Sequence, residues 1–281
     1  MRIYFRRTNK IKLLLKSAVK LLGKLGLTHK FFSSGIKIAG FILPGEKEIE
    51  VGKYKMIINP NEDLGLYFGY EDAEPGIGPL LRRELENGNV FVDVGSYKGY
   101  YSLIASELVG EKGKIIAFEP NPQSFEMLLN NLELNDISNI IAENAALSDF
   151  EGESRFMMSK MGSHFDSDGQ TVVNVKTLDT VMTSLSLIPD MIKIDVEGAE
   201  YAVLKGGMDI LTYHPKLLIE IHSNADFTLF DSLISLDYNI GLVGDEGEVE
   251  YVNLEEIKKR CEDRCSNKYG TRINRHIYCE V

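Results

Sequence analysis

The stretch N-V-F-V-D-V-G-S-Y-K-G, residues 89–99, places a carboxylate and two glycines where an apolar run ends. Residues 90–94 predict a buried strand, and Gly95 and Gly99 permit a sharp turn into a helix. Open α/β sheets bind nucleotide-like ligands at such junctions. The stretch lacks the G-x-G-x-x-G pattern of dinucleotide sites, and Asp93 suits an ammonium group better than a phosphate. We therefore expect a cofactor with a cationic amino-acid end.

A second carboxylate, Glu119, ends the next apolar run, 20 residues after Gly99. A carboxylate at this place can accept hydrogen bonds from both hydroxyls of a ribose. Asp93 or Glu119 alone could equally be a capping or surface residue. Two successive strands that both end on a carboxylate favour a ligand site.

A third acidic group follows the run I-K-I-D, where Glu197 and Glu200 come directly after Asp195. Acidic residues in a first helical turn are favourable on dipole grounds, which is an alternative explanation for Glu197 and Glu200. Asp195, however, ends a central strand over the same crevice. Clustered carboxylates raise each other's pKa values, which suits a general base or a metal site.

Glu220 and His222 share one face of the strand K-L-L-I-E-I-H, because they are two positions apart. His222 falls at or past the end of that strand, where a base would be needed. The alternative for His222 is a buried structural histidine.

The elements that must position these side chains alternate between strand and helix, which predicts an α/β fold with a mostly parallel sheet and helices on both faces. Strands are predicted at 90–94, 114–118, 139–143, 190–195, 216–222, 247–252 and 275–281. Helices are predicted near 99–109, 122–135, 198–211, 225–236 and 253–263. Between residues 150 and 177, two alternating runs predict an inserted hairpin.

Residues 10–25 carry apolar side chains at helical spacing and a lysine at every fourth position. This pattern predicts a basic amphipathic helix, either packed on the protein or lying on an anionic membrane. Residues 46–60 predict a small hairpin that turns at Gly52, and 61–79 read as an irregular loop. We therefore divide the chain into a basic extension, a hairpin and loop segment, and a large α/β domain, at 1–45, 46–79 and 80–281.

The charge distribution bears on the class of partner. Ten of the 31 Lys and Arg residues, but none of the 42 Asp and Glu residues, lie within 1–45, so the remaining chain carries a net charge of −21. Such an acidic body disfavours nucleic acid as a partner. No apolar stretch predicts a spanning helix. The three cysteines, in a chain without a recognisable export signal, favour reduced thiols and a cytoplasmic location, with possible membrane association through 10–25.

Taken in order, several motifs resemble the FkbM-type S-adenosylmethionine-dependent methyltransferases. These motifs are F-V-D-V-G-S-Y-K-G-Y-Y-S-L, A-F-E-P-N-P, A-A-L-S-D, K-T-L-D-T, I-K-I-D-V-E-G-A-E-Y-A-V-L-K-G-G and L-L-I-E-I-H. The resemblance covers about residues 70–225. One position departs from the family pattern G-A-N-x-G, because Tyr97 stands where Asn is common.

The resemblance implies a class I methyltransferase fold, with a seven-stranded sheet whose last strand is antiparallel. It assigns the methionine end of the cofactor to Asp93, Gly95, Ser96, Tyr97 and Gly99, and the ribose to Glu119. Adenine would lie near Glu143, Asn144 and Ala145. Asp195 would face the reacting methyl, with Glu220 and His222 across the site.

The leading hypothesis is therefore an O-methyltransferase that uses S-adenosylmethionine to methylate a hydroxyl of a sugar, glycolipid or other small metabolite, with His222 or Asp195 as the base and Glu220 beside them. A divalent metal held by Asp195 and Glu220 is possible but not favoured. The alternatives are a nicotinamide-dependent oxidoreductase, which NAD binding would reveal, and an inactive cofactor-binding module. The oligomeric state is left open.

Overall fold

A computed structural model describes residues 45–68, 74–157, 164–165, 168–222, 226–266 and 276–281. The basic segment 10–25, and with it the predicted membrane contact, lies outside the described residues and stays a prediction. A bilayer-spanning helix, which needs both length and apolar character, is not found in the part of the chain that is described.

The strands are, in chain order, β1 Lys47–Val51, β2 Tyr54–Ile58, β3 Val90–Val94, β4 Lys114–Phe118, β5 Ile140–Glu143, β6 Ala146–Leu147, β7 Gly152–Met157, β8 His164–Phe165, β9 Thr171–Lys176, β10 Met191–Ile194, β11 Lys216–Glu220, β12 Asn239–Val243, β13 Val249–Tyr251 and β14 His276–Glu280. The helices are α1 Leu64–Phe68, α2 Ile77–Glu84, α3 Tyr100–Val109, α4 Pro122–Glu133, α5 Leu178–Leu185, α6 Glu200–Lys205, α7 Met208–Leu211, α8 Thr228–Ser235 and α9 Leu254–Ser266.

The central sheet has the strand order β13-β12-β14-β11-β10-β3-β4-β5. Strands β5, β4, β3, β10 and β11 run parallel, and β14 is antiparallel to both of its neighbours, β11 and β12. This is the class I methyltransferase arrangement, so the predicted fold class is confirmed.

The predicted count of seven strands is not what the structure shows, because the described residues form a central sheet of eight strands. The sequence analysis missed β12, whose short run N-I-G-L-V is buried and interrupted by Gly241. A buried strand shows no alternation of polar and apolar residues, and a glycine within it weakens the pattern further. A Cβ at Gly241 would lie 2.3 Å from a methyl of Val249 on the added edge strand, β13.

A hydrophobic core covers each face of the sheet. Successive residues of a strand point to opposite faces, so each strand contributes side chains to both cores. Phe91 belongs to a core on one face, whereas its neighbours Val92 and Val94 belong to the core on the other face. The first core also holds Met56 and Ile58 of the β1–β2 hairpin, which packs on α3 and α4.

The predicted hairpin at 46–60 is confirmed, with Gly52 at its turn in a left-handed conformation (φ 56°). The predicted irregular loop at 61–79 is partly wrong, because it contains α1 and the start of α2. The proposed boundary between residues 79 and 80 falls within α2, and the division into domains stays a prediction. The insertion predicted at 150–177 contributes β7, β8 and β9 to a small separate sheet of order β6-β9-β7-β8, and β6 precedes the insertion.

Candidate active site

The parallel strands bring their carboxyl ends to one edge of the sheet, where they border a cleft of about 690 Å³. In the register of the sheet, Val94 of β3 lies between Phe118 of β4 and Ile194 of β10. The residue that follows each strand therefore reaches the same cleft. The predicted site residues that line it are Gly95, Ser96, Tyr97, Glu119, Ala145 and Asp195.

The glycine at position 95 is required by its neighbour in space. Gly95 has φ 81°, and a Cβ there would lie 1.9 Å from the carbonyl oxygen of Asp195. Gly99 has φ 93° at the start of α3, and a Cβ there would meet Leu128 of α4 at 2.5 Å. The structure therefore has the sharp turn that the sequence predicted, and it shows that the two glycines are needed for close approaches to the residue that follows β10 and to α4.

Glu119 is held at the end of β4 by two backbone N–H groups. Its Oε2 accepts from Tyr97 at 2.8 Å and its Oε1 accepts from Asn121 at 2.8 Å. Burial raises the pKa of Glu119 to about 7, although these two hydrogen bonds oppose the rise. A carboxylate that accepts these two hydrogen bonds still has lone pairs that can accept further hydrogen bonds from hydroxyl groups on the cleft side.

The predicted adenine region is divided between the cleft wall and the structure behind it. Ala145 is buried and lines the cleft. Asn144 instead donates its Nδ2 hydrogens to the backbone carbonyls of Glu119, at 2.8 Å, and Pro120, at 3.3 Å. Asn144 thus stabilises the turn after β4. Glu143 pairs with Lys176 at 2.6 Å.

Asp93 lies fully buried behind the cleft wall. Its Oδ2 accepts a hydrogen bond from the Ser102 hydroxyl at 2.6 Å, and its Oδ1 is 3.7 Å from the Nζ of Lys193. Burial raises the pKa of Asp93, and Lys193 and Ser102 act against that rise. The contact between Asp93 and a cofactor ammonium stays a prediction.

Lys193 is a site residue that the sequence analysis did not single out. Its Nζ lies 3.3 Å from Asp195 Oδ2 and 5.2 Å from the ring centre of Tyr101. Burial disfavours its charge, but the carboxylates of Asp195 and Asp93 raise the pKa of Lys193 above its ordinary value. The available signal was a lysine in the middle of an otherwise apolar strand, which requires buried anionic partners.

Asp63 is the second missed residue, and it joins the hairpin segment to the loop of residues 95–99. Its Oδ1 accepts from the Tyr97 hydroxyl at 2.7 Å, and its Oδ2 accepts from Lys98 Nζ at 2.7 Å and from the Asn59 N–H at 2.8 Å. Tyr97 itself has φ 51°, a conformation uncommon for residues other than glycine. The Tyr97 side chain therefore anchors the loop at the position where the family pattern has Asn.

His222 and Glu220 lie beside Asp195 rather than on the described lining of the cleft. His222 Nδ1 is 2.7 Å from Glu200 Oε1, and its Nε2 is 3.8 Å from both Asp195 Oδ1 and Glu220 Oε1. Burial alone would lower the pKa of His222, but Glu200 and the surrounding carboxylates raise it to about 9. The predicted catalytic set of Asp195, Glu220 and His222 is thus one cluster, and its catalytic role stays a prediction.

Residues 93–251, more than half of the chain, match the methyltransferase FkbM domain family. The chain is 32% identical over 159 residues to the hexuronic acid methyltransferase AglP of Haloferax volcanii, which covers 55% of this chain and 64% of that protein. It is 35% identical over 88 residues to a probable cobalt-precorrin-6B C(15)-methyltransferase of Sulfolobus acidocaldarius, covering 31% of this chain and 42% of that one. The chain therefore spans less than two thirds of either relative.

Among solved structures, an FkbM methyltransferase from Methylobacillus flagellatus KT is similar at a TM-score of 0.46 and 18% identity, over 78% of this chain and 53% of that one. The family match spans β3 to β13 and contains every residue of the candidate site from Asp93 onward. It agrees with the motifs of the sequence and with the strand order of the sheet. This chain belongs to the FkbM methyltransferase family.

Proposed function

We propose that this protein transfers the methyl group of S-adenosylmethionine to a hydroxyl of a sugar, glycolipid or other small metabolite. The observation that carries the proposal is that Glu119, the loop containing Gly95 and Tyr97, and Asp195 border one cleft in an FkbM-family chain. The sugar acceptor is supported by the name of the relative AglP, a hexuronic acid methyltransferase.

The cleft has the chemistry that the cofactor requires. Glu119 offers a carboxylate for the ribose hydroxyls. Met127, Ala145 and Phe156 supply apolar wall for a planar base. Gly95, Ser96 and Tyr97 border the place of the amino-acid end, and Asp195 supplies negative charge beside the sulfonium. The residues therefore fit S-adenosylmethionine, whose sulfonium supplies an already activated methyl group.

The contribution of the chain is alignment and removal of one proton. Holding the acceptor oxygen about 3 to 3.5 Å from the carbon that it attacks is worth several kcal/mol. Asp195 lines the cleft and can accept the hydrogen bond of that hydroxyl. Although burial acts to raise the pKa of Asp195, Lys193 and the neighbouring histidines lower it, so Asp195 is ionised and ready to accept. His222 lies beside Asp195, with its Nε2 3.8 Å from the Oδ1 of Asp195, and the Nζ of Lys193 is 3.3 Å from the Oδ2.

The test is calorimetric titration with S-adenosylmethionine, S-adenosylhomocysteine and NAD, followed by transfer of labelled methyl to neutral sugars and to uronic acids. We expect binding of the first two ligands, loss of that binding in Glu119→Ala, and transfer that Asp195→Asn reduces by at least about 100-fold. Exclusive binding of NAD would support the oxidoreductase instead. Cofactor binding without transfer to any acceptor would support an inactive binding module.

A further inference from the structure

The segment 59–66, which follows the β1–β2 hairpin, forms part of the wall of the cleft. The family match begins at residue 93, whereas Asn59, Asp63 and Leu66 all line the cleft. Asp63 is buried there and accepts hydrogen bonds from two residues of the loop 95–99. A segment outside the family match therefore borders the place where we propose that the cofactor binds.

We propose that Asp63 is a positioning residue of the cofactor site, which fixes Tyr97 and, through the backbone N–H of Tyr97, the carboxylate of Glu119. The Tyr97 hydroxyl donates to Asp63 Oδ1 at 2.7 Å, and the Tyr97 N–H donates to Glu119 Oε2 at 2.8 Å. Tyr97 thus connects the segment 59–66 to the carboxylate that would bind the ribose. The importance of this connection for the cofactor rests on the proposed function.

The position of Asp63 is itself fixed, which is the first support. The Asp63 N–H donates to the Asn59 carbonyl at 2.8 Å, and Asp63 Oδ2 accepts from the Asn59 N–H at 2.8 Å. The carbonyl oxygen of Asp63 accepts from the Tyr67 N–H of α1 at 2.9 Å. A carboxylate that is held on both sides along its own chain can orient the side chain of another element.

The backbone of Tyr97 is the second support. Tyr97 has φ 51°, a conformation that costs free energy in a residue other than glycine and that persists where the surroundings hold it. The direction of the Tyr97 N–H depends on this conformation. Loss of the contact between the Tyr97 hydroxyl and Asp63 would therefore weaken the hydrogen bond that Glu119 accepts.

The next residue of the loop is held from the same side, which is the third support. Lys98 is buried, and its Nζ donates to Asp63 Oδ2 at 2.7 Å. The carbonyl oxygen of Lys98 accepts from Nδ2 of Asn131 on α4 at 3.0 Å, and Asn131 Oδ1 accepts from the Ile57 N–H of β2 at 2.8 Å. The hairpin, the segment after it and α4 therefore hold the loop together.

The expected effect on Glu119 has a sign that distinguishes a hydrogen bond from a charge. Burial raises the pKa of Glu119, as do Asp93 and Asp195, and the two backbone N–H groups lower it. Loss of the hydrogen bond from Tyr97 should therefore raise this pKa further. Removal of the negative charge of Asp63 would by itself lower the pKa of Glu119, because a nearby like charge disfavours ionisation.

The first measurement is the ionisation of Glu119 without cofactor, by carbon-13 NMR of the full chain labelled at the glutamate carboxyl carbons. Glu119→Gln identifies the signal. Asp63→Ala and Tyr97→Phe should raise the pKa of Glu119 by about half a unit or more. Glu62→Gln is the matched control, because it removes a carboxylate that lies 3.3 Å from the same Lys98 Nζ, and it should not raise the pKa of Glu119.

The second measurement is a double-mutant cycle, by calorimetric titration with S-adenosylhomocysteine. Asp63→Ala should weaken binding about tenfold and Tyr97→Phe about fivefold. If Asp63 acts through Tyr97, the double variant should bind about tenfold more weakly than the wild type, rather than about fiftyfold. Glu62→Gln should bind within about twofold of the wild type. Circular dichroism checks folding, and Tyr97→Phe, which removes a single oxygen atom, keeps the test decisive if Asp63→Ala does not fold.

A pKa of Glu119 that stays the same or falls in Tyr97→Phe would overturn the proposal. So would a loss of about fiftyfold in the double variant, because the two residues would then act independently. Equal weakening by Glu62→Gln and Asp63→Ala would also overturn it, since charge alone would be responsible. If the wild type binds no S-adenosylhomocysteine, the proposed function fails, and the NMR titration still decides whether Asp63 positions Glu119.

Discussion

Glu119→Gln tests the physical account of the cleft through its dependence on pH. Glu119 is buried, and burial raises its pKa to about 7 from an ordinary value of 4.5, which the unfolded chain retains. The fold therefore favours the protonated form. The stabilising contribution is complete below about pH 4.5, falls as the pH rises toward 7, and stays constant above that value.

The magnitude follows from the gap between the two pKa values. A gap of about 2.5 pH units corresponds to about 3 kcal/mol between the extremes, and about 2 kcal/mol of it falls between pH 5.5 and 8. The glutamine variant has no titrating group at this position. Its free energy of unfolding should therefore rise relative to that of the wild type by about 2 kcal/mol across this range.

The assay is urea unfolding at four pH values between 5.5 and 8. The protein concentration is kept in the low micromolar range, because the lowest pH lies close to the sequence pI of about 5.1. Glu133→Gln, which removes an exposed carboxylate on α4, is the matched control and should show no such trend. The quantity to follow is the difference in free energy of unfolding between Glu119→Gln and the wild type. If it changes by less than about 0.5 kcal/mol between pH 5.5 and 8, the claim that burial dominates the titration of Glu119 is refuted.

The same pKa predicts a pH dependence of cofactor binding, which rests on the proposed function. Ribose hydroxyls donate to the ionised carboxylate, so binding favours the charged form of Glu119. Affinity for S-adenosylhomocysteine should rise toward about tenfold per pH unit below pH 7 and become level above it. Glu119→Gln should bind S-adenosylhomocysteine more weakly, with an affinity that does not depend on pH in this range. If the affinity of both proteins rises equally with pH, another group causes the pH dependence.

Three further substitutions test the contacts around the cleft. Gly95→Ala should destabilise the protein by at least about 2 kcal/mol, because its Cβ would lie 1.9 Å from the Asp195 carbonyl oxygen, and an unchanged melting temperature would contradict this. Tyr97→Phe removes the hydrogen bond to Asp63 and should weaken S-adenosylhomocysteine binding about fivefold by calorimetry; equal affinity would show that the anchor is dispensable. Lys193→Met leaves the buried Asp93 and the partly buried Asp195 without their cation and should cost about 3 kcal/mol in urea unfolding, whereas equal stability would mean that these two carboxyl groups are neutral.

The sequence by itself determined the features that depend on neighbours along the chain. The alternation of strands and helices, the hairpin turn at Gly52 and the sharp turn permitted by Gly95 and Gly99 all follow from local residue patterns. The placement of Glu119 and Asp195 at strand ends follows in the same way, because parallel strands present their carboxyl ends to one edge. The resemblance to the family joined these local features into a fold and an expected activity.

Some errors of the sequence analysis arose where local pattern is weak. β12 is buried on both faces and contains Gly241, so neither alternation nor composition identified it. Residues 61–79 contain several glycines and prolines, which obscured two short helices. In these segments tertiary packing, and not intrinsic propensity, stabilises the secondary structure.

Only the tertiary structure decided which side chains meet. Asp63 contacts Tyr97 from 34 residues away, and Glu200 orients His222 across 22 residues. Glu220 stands between His222 and His276 because β14 is inserted beside β11, a pairing that no local pattern predicts. Sequence periodicity specifies the face of an element on which a residue lies. The distances between charged groups, and therefore their pKa values, depend on how the elements pack.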